Sequence, residues 1–323
     1  MPIKNPHDKF FRSAFSEKKV ALGYLLEFLP SEITDELDLD TLEQENNSYI
    51  DKNLDEHFSD IVYRCHFKKQ GDTIQKQNEI WLSFLFEHKS YPVYFVFLQL
   101  LQYVVNIWSQ LLKQNKPLKI IIPIVVYHGK KEWEMRKIED FFYIPNKHFR
   151  KFLPIFDYIL TDLAVTSDDR IKQIRQNAKL FNALMALKHS RDLKFILENL
   201  ALILANAEEY LENKGGQNFF HTIIVYLTST TSPNKKDFLK SVKQLKPKLK
   251  KNVMTLYEQL IQEGRQQGKA EGKIEGKIEG KVETLHQATT RLIQKGADDA
   301  FIMEILDVTA DFIQQIRSEI KNS

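Results

Sequence analysis

Cysteine is nearly missing from this chain: Cys65 stands alone among 323 residues. No internal disulfide can form, so the fold rests on packing, and a reducing, cytoplasmic setting is the expectation. The opening MPIKNPHDKFFR lacks the apolar run of a secretory leader, so none is expected. Net charge is also scarce. With 46 basic and 43 acidic side chains the balance is +3, too little to argue for a nucleic-acid partner by itself. Zinc-ligand spacing is absent, because His128, His148, His189 and His221 lie far apart and read as ordinary polar or capping residues. The apolar stretch Val93 to Leu112 carries Gln99, Gln102 and Asn106, amides that lipid would leave unsatisfied, so a membrane span is excluded. What is present is a composition 43% hydrophobic, enough for a sizeable core in one or two domains with appendages.

Periodicity predicts the elements. Phe10, Phe11, Ala14, Phe15, Leu22, Leu25 and Leu26 fall near helical spacing, giving a helix over about His7 to Phe28 that ends before Pro30. A short strand is predicted over Leu42 to Tyr49. Two apolar-rich runs of equal length, Phe58 to Phe67 (FSDIVYRCHF) and Ile80 to Lys89 (IWLSFLFEHK), flank a polar stretch with a Gly71-Asp72 turn signal and predict a hairpin. Val93 to Leu112 is too long for a strand and predicts a mostly buried helix. Leu118 to Gly129 (LKIIIPIVVYHG) predicts another strand, in which Pro123 requires an edge position or a bulge.

The chemistry lies in the hairpin. Paired in register about its loop, the two runs set Asp60 opposite Glu87. Side chains alternate with period two, so Lys89 joins both carboxylates on one face and Phe84 and Phe86 point the other way. Two hard carboxylate groups suit a Mg2+ ion that keeps several waters and polarises a phosphodiester, and lysine supplies a point charge near the developing phosphorane. An E-x-K tripeptide is common, and the bland alternative is an exposed ion pair on an edge strand. Against it, Glu87 and Lys89 end a run of large apolar residues, where a charge without partner or metal is costly. On the next helix, Gln99, Gln102, Tyr103, Asn106 and Gln110 recur every three or four residues as one polar stripe. A stripe reaching water explains Gln102 and Gln110 equally well.

The spacing D-(x26)-E-x-K has the form of the PD-(D/E)xK nuclease site, and Gln99-x-x-x-Tyr103 resembles the extra motif that lies beside the metal in RecB-like nucleases. HDKFFRSAFS, FSDIVYRCHF, FEHKS, QLLQYVVNIW and PIVVYHGKKEW together resemble the recombination-promoting nuclease (Rpn) family, also described as YhgA-like transposases, over roughly residues 5 to 260. The resemblance implies an α/β, PD-(D/E)xK nuclease-like core of helix, three strands, helix and strand, followed by a helical region and a helical C-terminal arm. It implies a metal-dependent DNA endonuclease that promotes recombination or mobile-element activity. Asp60 and Glu87 would hold Mg2+, or Mn2+ or Ca2+ in its place, with the His88 carbonyl as a third ligand, and Lys89 would act as base or charge stabiliser. Ser59 replaces the proline of the superfamily name, which is not a ligand. The alternative is a non-catalytic DNA-binding or assembly protein of a mobile element. A true transposase would need an acidic DDE triad and strand transfer, which the family name alone does not supply.

The expected divisions are a core over 1–130, a mostly helical continuation over 131–262, a repeat over 263–283 and a tail module over 284–323. In the continuation, helices are predicted over Ile171 to Leu187, Leu193 to Leu211 and Phe219 to Leu227, with Ser167 or Asp168 capping the first, Gly215-Gly216 separating the last two and TSTTSPNK as a loop. Between Lys235 and Lys251 eight lysines face the single Asp237, a candidate phosphate-binding cluster or simply a solvated face. Lys130, Lys131 and Arg12 are further candidates. In the repeat, Gly264, Gly268, Gly272, Gly276 and Gly280 recur every four residues beside stripes of lysine, apolar residues and glutamate. The glycine stripe predicts close approach of a second helix and hence a homo-oligomer, against a loosely helical linker. The tail, Asp298 to Leu306 and Thr309 to Ile320, superficially resembles a helix-turn-helix. Only Arg317 and Lys321 are basic on its second helix, so packing or dimerisation is expected over base readout.

Overall fold

The computed structural model describes residues 5–45, 61–68, 79–87, 93–174 and 176–321, with the backbone alone over 79–87. The chain divides into two compact units, residues 2–257 and 258–323.

The first unit is mixed α/β. Helices α1 (Pro6–Phe15), α2 (Lys18–Phe28) and the short α3 (Ser31–Thr34) precede strands β1 (Leu37–Gln44), β2 (Ile61–Phe67) and β3 (Glu79–Glu87); α4 (Val96–Lys113), β4 (Ile120–Tyr127) and β5 (Ile159–Asp162) follow. The five strands form one sheet in the order β1-β2-β3-β4-β5. Strands β1, β2 and β3 pair antiparallel, whereas α4 carries the chain back so that β3 and β4 run parallel, and the segment 128–158 returns it so that β5 runs parallel to β4.

Several sequence expectations need correction. The expected first helix is two helices, broken at Ser16-Glu17, and the first strand lies five residues earlier than Leu42 at its start. The hairpin forms, but Ile61 pairs with Phe84 and Cys65 with Ile80, where the in-register reading puts Ile61 against Phe86. The offset is two residues, and an even offset leaves every residue on its expected face. Pro123 is not on an edge strand, since β4 lies between β3 and β5. Its missing N–H is tolerated because pairing with β5 begins only at Ile124, leaving that side of β4 open at position 123.

The two faces of the sheet are covered by different helices. Tyr63 Oη donates to the Phe15 carbonyl at 2.8 Å and the Tyr24 hydroxyl lies 2.6 Å from Thr161 Oγ1, tying β2 to α1 and β5 to α2. On the other face Val62, Ile121, Val125 and Tyr127 pack with Val96, Leu100, Tyr103, Val104 and Ile107 of α4 in one buried cluster. Alternation along each strand thus feeds two cores.

Eight further α-helices follow among the described residues: α5 (Asp168–Lys172), α6 (Ala178–Lys188), α7 (Leu193–Ile203), α8 (Lys214–Thr231), α9 (Lys235–Val242), α10 (Pro247–Gln294), α11 (Asp299–Leu306) and α12 (Ala310–Lys321), with α5 and α6 replacing one expected helix. Ser167 caps α5 by accepting from Arg170 N at 3.1 Å. Gly215-Gly216 does not separate elements but opens α8, where Asn213 Oδ1 accepts from Gly216 N at 2.8 Å and a Cβ at 216 would sit 1.6 Å from the Tyr210 carbonyl oxygen. Buried Asn182 donates to the Ile203 and Ala205 carbonyls and accepts from Tyr210 Oη at 2.7 Å, so α6 and the end of α7 share one satisfied polar network. In the second unit the glycine repeat is part of the continuous α10, and α11 and α12 are joined by Asp299–Arg317, 2.6 Å apart.

Candidate active site

Glu87 ends β3, a strand flanked on both sides, and its register partner in β4 is Tyr127. By strand parity, register position 87 lies on the face shared with Val125 and Tyr127, which α4 covers, while positions 84 and 86 lie on the α1–α2 face. Asp60, His88 and Lys89 lie outside the described residues, as does the expected convergence of the two carboxylates with lysine.

Helix α4 covers this face of the sheet. Gln99 occupies the first turn of α4, Tyr103 follows one turn later and is buried in the cluster that holds Tyr127, and Gln102 is exposed. The Gln99 Oε1 atom is buried with no hydrogen-bond partner among the described residues. A buried carbonyl oxygen left without a donor fits a water or a hard cation as its partner better than apolar packing. Among the described residues no cluster of His, Cys, Asp or Glu could hold a metal ion.

The same sheet end carries a polar construction that the sequence did not announce. Tyr127 packs edge-on to Trp133 with ring centroids 4.9 Å apart, and Trp133 N donates to Asp162 Oδ2 at 2.7 Å while Ala164 N donates to Oδ1 at 2.7 Å. Asp162 is the register partner of Tyr127, so one buried carboxylate fixes the loops leaving β4 and β5. Its signal was only the short run ILTD, too brief for periodicity. Past these strand ends lies a cavity of about 460 Å³ lined by His128, Lys130, Lys188, His189 and Arg191 among others. Arg191 donates to the His128 carbonyl at 2.8 Å, and Lys188 donates to the Leu163 and Thr166 carbonyls at 2.9 and 2.7 Å. His189 lies 3.0 Å from Asp168. Burial nonetheless lowers its pKa below the ordinary histidine value, outweighing the opposing pull of that carboxylate. The His128 ring lies 3.4 Å from Arg191, so both histidines sit in the hydrogen-bonded network at these strand ends. The Cys65 thiol is buried, which pushes its pKa up to about 11 and makes it unreactive.

Of the lysines in 235–251, Lys235, Lys236 and Lys240 fall on α9, Lys248, Lys250 and Lys251 on the start of α10, and Lys243 and Lys246 between them. Among the described residues no helix is long and apolar enough to cross a membrane.

Comparison with known proteins agrees with this reading at the level of family. The chain is 27% identical over 262 residues to recombination-promoting nuclease RpnA of Escherichia coli strain K12, covering 80% of this chain and 84% of that one. It is 26% identical over 239 residues to recombination-promoting nuclease RpnD of Escherichia coli O157:H7, covering 69% and 87%. It is also 24% identical over 266 residues, 80% and 83% of the two chains, to an inactive recombination-promoting nuclease-like protein, RpnE, of strain K12. No solved structure matches. The family described as "Putative transposase, YhgA-like" matches residues 5–214, so the chain belongs to that family.

Proposed function

We propose that the protein is a metal-dependent DNA endonuclease with a PD-(D/E)xK core, hydrolysing phosphodiester bonds in support of recombination or mobile-element activity. The observation that carries the reading is Glu87 at the end of the central strand β3, on the face covered by the helix bearing Gln99 and Tyr103. The names of the relatives support it: two are recombination-promoting nucleases.

In this reading the Asp60 and Glu87 carboxylates, with the His88 carbonyl, hold Mg2+, which would polarise the scissile phosphate. Lys89 orients the attacking water or balances charge developing on the phosphorus oxygens. Gln99, with its buried oxygen, orders water beside the carboxylates, and Tyr103 fixes α4 against the sheet. Lys130 at the cavity mouth and the lysines of α9 neutralise phosphates along the bound duplex. The α10 repeat associates two copies through its glycine stripe.

One relative is named inactive, which favours a second reading, a DNA-binding or assembly protein without turnover. Incubating supercoiled plasmid with the protein in Mg2+ and in EDTA separates the two. Nicking in Mg2+ alone is the expected result; binding without nicking in any divalent cation contradicts the enzyme reading.

A further inference from the structure

The segment after β4 contains two 3-10 helices, Ile138–Phe141 and Lys147–Phe152, and is anchored through Phe141 and Arg136. Phe141 packs against Tyr94, Phe95 and Phe97 at the start of α4, with ring centroids 5.2, 5.3 and 4.7 Å away. Arg136 donates to the Tyr94 hydroxyl at 2.9 Å, and Arg150 lies 3.5 Å from Glu139, holding the two 3-10 helices together. The outer side is different. Tyr143 is 93% exposed, Phe152 74%, Phe149 50% and Phe142 49%. Four large aromatic side chains exposed within the eleven residues 142–152 mark a surface suited to being covered.

The sequence between and beside these rings decides what covers it. Lys147-His148-Phe149-Arg150-Lys151-Phe152 interleaves aromatic and basic residues with no acid, and Lys151 Nζ lies 5.1 Å from the Phe152 ring centroid. A second copy of this chain would bring the same cations against one another. A DNA duplex hides its base faces. An unpaired strand offers both complements at once: flat base faces for the rings and phosphates, one per nucleotide, for the lysines.

We propose that residues 142–152 form a base-stacking surface for an unpaired stretch of DNA, with Phe149 and Phe152 as stacking rings and Lys147 and Lys151 as phosphate contacts. The surface rests on the DNA-directed reading above and adds to it a preference for strands that are single, frayed or opened near the cleavage site. Arg150, paired with Glu139, positions the second 3-10 helix and is not assigned to the ligand.

The test uses full-length protein in EDTA, so that metal-dependent cleavage cannot contribute. Anisotropy is measured with a labelled oligothymidylate of about 20 nucleotides and with a duplex of equal length, each carrying one 2-aminopurine in a second preparation. Changing Phe149 and Phe152 together to alanine should weaken the single strand by roughly tenfold or more and the duplex by less than about twofold, and should abolish 2-aminopurine quenching. Phe152→Trp should keep both affinity and quenching, and Phe152→Leu, which keeps the bulk, should lose the quenching. Unchanged single-strand affinity in the double variant overturns the proposal. So does an equal loss on duplex and strand, or a fall in the mass of the protein by light scattering with DNA affinity intact. Plasmid nicking is scored separately: ring-dependent binding without nicking removes the nuclease reading and leaves this surface standing, and nicking with ring-independent binding does the reverse.

Discussion

At the residue scale, Lys89 is the sharpest discriminator between chemistry and binding. If it acts only as charge or bonds change at phosphorus, Lys89→Gln should keep metal and DNA affinity within about twofold and lose at least a hundredfold in cleavage. Equal losses in binding and cleavage would make it a phosphate anchor. The hairpin itself was legible because two short apolar-rich runs of equal length flank a turn signal. Asp162 was not, since a single carboxylate fixing two backbone N–H groups leaves no pattern in the sequence. His189 carries a pH effect. Its pKa is lowered from 6.5 by burial in the fold, so it contributes stability that is present above 6.5 and lost as pH falls through the lower folded value. The thermal midpoint of the wild type should therefore drop more between about pH 7 and 5.5 than that of His189→Gln, with the slope and not the absolute midpoint as the readout. Parallel slopes would assign the acid sensitivity elsewhere.

At the element scale, helices and the hairpin followed from apolar periodicity, and the misses have local causes. Strand β5 spans only four residues, below the length at which alternation shows. Helix α8 runs through the apparent loop TSTT because Thr228, Thr230 and Thr231 hydroxyls bond back to carbonyls four residues earlier, which makes these residues compatible with helix. The hairpin pairing is offset by two residues from the in-register reading, and an even offset keeps each position on its expected face of the sheet. Gly216 shows how a glycine that reads as a breaker can instead be a packing requirement. Gly216→Ala should destabilise the first unit by about 2 kcal/mol, as overpacking against backbone does, while Gly215→Ala, which meets nothing closer than Asn213 Oδ1 at 3.4 Å, should cost far less. Chemical denaturation of both variants decides it, and equal midpoints would contradict the close approach.

The repeat in α10 is open to a partner: a Cβ at Gly264, Gly268, Gly272, Gly276 or Gly280 meets nothing within 4 Å, and Ile274, Ile278 and Val282 are half exposed or more. Along the helix the lysine stripe lies about 100° to one side of the glycines and the glutamate stripe about 100° to the other. Two-fold parallel pairing then sets lysine against glutamate on both flanks, and antiparallel pairing sets like against like. Gly272→Leu with Gly276→Leu should raise helicity yet lower the oligomeric mass seen by light scattering, because bulk enters where backbones would meet. An unchanged mass would return the arm to a spacer role.

At the scale of the whole molecule, composition bounded the answer without naming it. A balance of +3 hides a lysine-rich stretch at 235–251, and the family match ends at residue 214, before that stretch and the arm. Fold class and family were legible because the core motifs occur in order along one segment. The division at residue 257 was not, since α10 runs through it as one helix from Pro247 to Gln294. The central claim is that Asp60 and Glu87 share the metal on which cleavage depends. Supercoiled plasmid is incubated in Mg2+ with wild type, Asp60→Ala and Glu87→Ala at matched folded concentration. The account predicts nicking by the wild type, and rates at least a thousandfold lower, near background, for both variants with thermal midpoints preserved. Nicking by either variant at the wild-type rate would contradict it.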